Sequence, residues 1–108
     1  MIIIDELGVI KKVSKKLPRN LSSNFLEAIS ELENKKNFIE MKFPKTNLHK
    51  VSGTKENIYR ADINKDSAYR IHLQYGESKN TLYLKDFLTN KEHDKVNKVI
   101  NARKNRYT

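Results

Sequence analysis

The chain has 108 residues, 22 Lys plus Arg against 13 Asp plus Glu for a formal charge of +9, and no Cys, no Trp and three Gly. A chain of this length supports one hydrophobic core, so a single domain over residues 1–108 is expected, with any site on the outside of that core. The missing cysteines exclude disulfides and thiolate metal centres, and His49, His72 and His93 are scattered rather than set at ligand spacing, so neither a metal nor another cofactor is implied.

The first element is the β-branched run Ile2 to Ile4, which suits a short buried strand and is far below the roughly 18 apolar residues of a membrane span. With no signal-peptide pattern either, a cytoplasmic protein without membrane contact is expected. Leu7, Ile10, Val13 and Leu17 recur at helical spacing, and Pro18 ends that helix. Asn20 to Asn24 offers caps for a second helix, with Glu27 three residues after Asn24 as in a capping box and Phe25, Ala28, Ile29 and Leu32 on its buried face. The two read as a helical hairpin that needs a flat surface to pack on.

An irregular stretch follows from Asn37 to Gly53. From Ile58 onward the period becomes two. Tyr59, Ala61 and Ile63 alternate with Arg60 and Asp62, and Tyr69, Ile71, Leu73 and Tyr75 alternate with Arg70, His72 and Gln74. Polar turns at 64–68 and 76–80 separate these runs from a third containing Leu82 to Lys85, which makes an antiparallel meander. Glu92 to Arg106 carries Val96, Val99, Ile100 and Arg103 at helical spacing and predicts a basic terminal helix. The order is β-α-α-β-β-β-α, an α+β fold: an antiparallel sheet with the hairpin on one face and a C-terminal helix.

Residues 1–40 hold seven basic and six acidic side chains, whereas 41–108 hold fifteen and seven, so nearly all the excess charge lies in the sheet and the last helix. Such one-sided charge suits a polyanion, nucleic acid foremost, or an acidic protein surface. With the hairpin on one face, the other is expected to be an open platform bearing Arg60, Asp62, Arg70, His72, Gln74, Tyr83 and Lys85, with the segment from Lys91 to His93 at its edge. Tyr59, Tyr69 and Tyr75 fall in phase with the core, and Asp62 can pair with Arg60 or Arg70.

RNA cleavage needs little more than this platform supplies. The ribose 2′-hydroxyl is itself the nucleophile, so the protein provides a proton acceptor, a proton donor for the leaving 5′-oxygen, and cations for the phosphorane. His titrates near neutral pH, and the planar Arg fork matches two phosphate oxygens. His93, Arg70 and His72 fit those roles, and Asp94 beside His93 either tunes the imidazole or caps the last helix.

In order and spacing, these residues resemble the RelE/ParE superfamily, the small basic toxins of type II toxin–antitoxin pairs. Lys15-Lys16-Leu17-Pro18 followed by Phe25 to Ile29 looks like the helix, Leu-Pro break and second helix of that family. Leu48 to Gly53 looks like its entry loop, Tyr59-Arg60 and Tyr69-Arg70-Ile71 resemble its Tyr-Arg strands, and His93-Asp94-Lys95-Val96 resembles the segment leading into its last helix. The resemblance implies a metal-independent endoribonuclease that cuts mRNA, usually on the ribosome, and is held by a cognate antitoxin protein. It implies His93 as main acid or base, Arg70 on the scissile phosphate, Lys91 holding or polarising it, and His49 as a further proton carrier; from the platform reading, His72 is expected to hold or polarise the phosphate beside Lys91. Arg60, Lys65, Lys85, Lys95 and Tyr83 are expected to contact RNA. Two alternatives share the scaffold: a ParE-like gyrase inhibitor without chemistry, in which the histidines are incidental, and a non-toxic RNA-binding module.

Overall fold

The computed structural model describes residues 1–78 and 80–107; the turn expected at 76–80 therefore includes one residue, Lys79, outside the described set. The elements are β1 (Ile2–Ile4), α1 (Val9–Lys16), α2 (Ser22–Glu33), α3 (Lys35–Glu40), β2 (His49–Lys50), β3 (Tyr59–Asn64), β4 (Tyr69–Tyr75), β5 (Thr81–Leu88) and α4 (Val96–Ala102), with short 3-10 turns before α2 and on both sides of α4. The strands form one sheet in the order β1-β5-β4-β3-β2. β2 to β5 pair antiparallel as expected, while β1 joins β5 in parallel, so the sheet is mixed. β1 is an edge rather than a buried strand, and Ile2 is 59% exposed.

The expected hairpin packs on one face of the sheet. Its helix α1 is rotated from the expected stripe: Val9, Val13 and Leu17 are buried, and Leu7 and Ile10 are exposed. Leu7 is lost from the stripe because of where the helix begins. Gly8 takes a left-handed φ of 72°, accessible to glycine at little cost, and the Asp5 carboxylate accepts hydrogen bonds from Val9 N at 2.8 Å and Ile10 N at 2.9 Å. Leu7 is thereby left outside the helix. In α2 the buried face matches the expected pattern at Phe25, Ala28 and Leu32, and burying each of the two larger side chains contributes roughly 1.5–3 kcal/mol. The capping box is absent: the helix starts at Ser22 behind a 3-10 turn, and Glu27 pairs with Lys45 instead.

The expected irregular stretch contains α3 and β2, and its loop is tied down from both sides. The Glu31 carboxylate accepts from Lys45 N at 3.0 Å and Thr46 N at 2.6 Å, and the Thr46 carbonyl accepts from Asp62 N at 2.7 Å. This clamp places His49 beside β3.

The second face of the sheet is not open. Ile58, Ile100 and Tyr107 form a small second core there with Val51 and Val96, because the C-terminal segment folds back over the strands. The single terminal helix expected from Glu92 to Arg106 is divided: a 3-10 turn at His93–Lys95, α4, and a 3-10 turn at Lys104–Arg106. That second bend turns Tyr107 inward to 6% exposure.

Candidate active site

Residues paired in register on neighbouring strands share a face, and the pairs His49–Arg60, Arg60–His72 and His72–Asp86 make one row across four strands on the covered side. A bulge opposite His72–Leu73 inserts Lys85 as an extra residue, so that Asp86 faces His72 while Leu84 and Phe87 both serve the main core. The row has a buried centre and an accessible end.

At the centre, His72 and Asp86 are fully buried. The Asp86 carboxylate binds Lys12 Nζ at 2.9 Å and Arg103 Nη1 at 2.6 Å, with Arg106 Nε at 3.9 Å. Burial alone would push its carboxyl up, but the hydrogen bonds and charges of Lys12 and Arg103 outweigh that and hold it below the usual value. His72 Nδ1 lies 2.7 Å from the Tyr107 hydroxyl, and its Nε2 is buried without a hydrogen-bond partner. Burial, aided by Arg60, Arg103 and Arg70 against the opposing pull of Asp86, pushes the His72 imidazole down to about 4. The Tyr107 hydroxyl is pushed up, first by burial and then by Asp86, so it keeps its proton. His72 is thus a neutral core residue under the tail. Its expected place on an open platform, in contact with phosphate, is corrected by the C-terminal segment that lies over it.

The accessible end is a cleft of about 270 Å³ between β2, the start of β3 and α4, lined by His49, Lys50, Ser52, Arg60, Val96 and Asn97. Asn47, in a left-handed conformation, presents its carbonyl to His49 Nδ1 at 2.6 Å. With Nδ1–H donating there, the neutral ring carries its lone pair on Nε2, the form a general base requires. Arg60 stands 3.9 Å from Asp62 Oδ1 through its Nε, beyond hydrogen-bond reach, and that nitrogen is buried without a partner. Burial and the neighbouring Arg70 depress the Arg60 guanidinium, with Asp62 opposing. One carboxylate serves two guanidinium groups, which leaves a cation beside His49 to receive an anion.

Arg70 is oriented by Asp62, as one expected pairing has it: its Nε donates to Asp62 Oδ1 at 3.0 Å, and its Nη1 is buried and unpaired. It pairs in register with Asp62 and Leu88 rather than with the cleft residues. His93 sits in the 3-10 turn leading into α4, with Nδ1 2.5 Å from the Asn90 carbonyl and Nε2 2.9 Å from Asp94 Oδ1. Both partners are acceptors, so in the imidazolium form both ring N–H groups donate. Glu92, beside it, accepts from Thr89 N at 3.0 Å and pairs with Arg103, which anchors the turn to the C-terminal segment.

The other expected contacts are dispersed. Lys65 is exposed in the β3–β4 turn, and Lys91 and Lys95 are exposed around His93. Tyr83 and Lys85 line a separate cavity of about 390 Å³ near Gln74 and Gly76, with Lys85 Nζ 5.4 Å from the Tyr83 ring centre. Gly76 is required there, since a Cβ on it would stand 2.7 Å from the Tyr83 ring. Tyr59 and Tyr69 are half-buried in phase with the core, and Tyr69 stacks on Phe87 at 6.1 Å. Sequence reasoning missed Asn97, Lys50, Asp86, Arg103 and Tyr107. Of these, only the helical phase of Val96 and Ile100 offered a signal, since it sets Asn97 on the flank of α4.

No protein-family model matches the chain, and no curated protein matches it in sequence. In structure it is similar to one chain of the archaeal RelE–RelB complex from Pyrococcus horikoshii OT3, with a TM-score of 0.57, 20% identity, and coverage of 82% of this chain and 92% of that one. The fold is therefore RelE-like: N-terminal helices on a mixed sheet with a C-terminal helix.

Proposed function

We propose that this protein is the toxin of a type II toxin–antitoxin pair and a metal-independent endoribonuclease that cuts mRNA on the ribosome. The observation that carries the reading is the cleft in which His49 presents a bare Nε2 beside the guanidinium of Arg60, which shares the Asp62 carboxylate with Arg70 and makes no hydrogen bond to it. The RelE-like fold supports it, as does the excess of basic residues in 41–108. His49 Nε2 takes the proton from a ribose 2′-hydroxyl, and O2′ attacks the adjacent phosphorus. Arg60 stabilises the phosphorane oxygens, with Arg70 behind it. His93 does not line the cleft, but it stands three residues before Val96 of the cleft wall, and to it we assign the proton that the leaving 5′-oxygen takes, yielding a 2′,3′-cyclic phosphate and a 5′-hydroxyl. The nucleophile belongs to the substrate, so the reaction calls for no metal. Lys91 and Lys95 contact the RNA backbone around His93, and Lys65, Lys85 and Tyr83 meet more distant RNA or rRNA. A cognate antitoxin covers the basic surface.

Primer extension on mRNA bound to translating ribosomes tests this. The native chain is expected to give discrete cuts. His49→Ala, Arg60→Ala and His93→Ala are each expected to slow cutting by about 100-fold or more, and a 2′-deoxy nucleotide at the scissile position should abolish it. Uncut mRNA, or variants that cut as the native chain does, would overturn the assignment. Toxicity that survives loss of all three side chains would instead point to gyrase.

A further inference from the structure

The cleft does not end at His49. A second cavity of about 220 Å³ lies between α4 and the loop after β2, and Asn97 lines both. The two form one groove along the helix. His49 and Arg60 stand at one end, Lys55 and Lys104 at the other, and Asn97 and Asn101, one helical turn apart, lie between. The floor is rigid, because Val96 and Ile100 pack with Ile58 and Tyr107 and lock the rotation of α4. Gly53, at a left-handed φ of 78°, turns the opposing loop over this helix.

From this arrangement we infer that the groove is a track for single-stranded RNA beyond the cleaved phosphate, and that Asn97 reads the edge of a base within it, a role that rests on the proposed nuclease reading. At the far end Lys55 and Lys104 outweigh the single carboxylate of Glu56, so net positive charge at both ends suits successive phosphates. Between them the lining holds no aromatic ring, so bases are not held by stacking. A carboxamide offers a donor and an acceptor side by side, which a base edge answers in only one arrangement. Asn97 is exposed and is placed where the two cavities meet, so it selects the base while Lys55 and Lys104 hold the backbone regardless of sequence.

The test is equilibrium binding of the full chain to fluorescent 2′-O-methyl hexanucleotides of A, C and U, which cannot be cut at the 2′ position. The native chain is expected to prefer one of the three by about fivefold or more, and Asn97→Ala to bring that ratio below about twofold. Lys104→Ala is expected to weaken all three alike and to lower the salt slope by about one. Both side chains are exposed, so these variants leave the cores intact. Equal binding of the three by the native chain, a preference that persists in Asn97→Ala, or unchanged affinity in Lys104→Ala would each overturn the inference. Binding to uncuttable RNA is independent of catalysis. Failure to cut on ribosomes with base preference intact would sink the nuclease and leave the groove standing.

Discussion

His72 reaches the folded state without its proton, and that has a measurable cost in acid. Its pKa is 6.5 in an unfolded chain and about 4 here, so between those values the unfolded chain binds a proton that the native one refuses. Stability is therefore full above about pH 6.5 and falls as the pH drops toward 4, by up to roughly 3 kcal/mol. Of the groups acting on His72, Arg60, Arg103 and Arg70 oppose its protonation, Asp86, held below the ordinary carboxylate value, favours it, and Tyr107 stays a phenol. Urea midpoints measured from pH 7 to 4.5 should show the decline, and His72→Gln should flatten it in that window. A native-like slope in the variant would assign the loss elsewhere. The sequence placed His72 on the correct face of β4 by alternation alone. Alternation cannot say what lands on that face: the Tyr107 hydroxyl and the cations around Asp86 arrive from segments distant in sequence, and they turn an expected surface residue into a core one.

Among the elements, those with a clear period were legible and those set by their ends were not. β3 and β4 show alternation in sequence with their apolar half on the core, β5 shows it as far as the bulge at Lys85, and α2 shows an unbroken apolar stripe. Leu7 falls outside α1 because Gly8 and Asp5 start the helix after it, a local choice of backbone and cap that periodicity does not carry, and the buried stripe runs through Val9 and Val13 instead of Ile10. Asp5 satisfies two of the free amides at that end, so Asp5→Ala should lower stability by about 1 kcal/mol. Thermal melts of the two proteins would show it, and equal melting temperatures would assign the start of α1 to Gly8 alone. The terminal helix was misread in length for the opposite reason. Its apolar spacing continues to Arg103, but the side chain of Arg103 is held by Asp86 and Glu92, and the backbone leaves the helix there. The candidate site was legible in residue type and not in grouping. His49, Arg60 and His93 were singled out, yet nothing in the spacing revealed that Arg60 rather than Arg70 shares a cleft with His49.

For the whole molecule the charge of +9 sets how it meets a polyanion. Each phosphate neutralised by a Lys or Arg releases counterions, so affinity for the ribosomes proposed as its target should fall by tenfold or more between about 50 and 200 mM salt, as read by co-sedimentation. Flat binding across that range would assign the affinity to apolar contact instead. Among the described residues no helix is long and apolar enough to cross a membrane. The parallel pairing of β1 has a consequence for biogenesis. Ile2 to Ile4 find their partners only at Thr81 to Tyr83, and the wall of the cleft at Val96 and Asn97 comes later still. A nascent polypeptide halted before those residues has an unfinished sheet and half a cleft, so synthesis must run nearly to Tyr107 before the cleft can assemble.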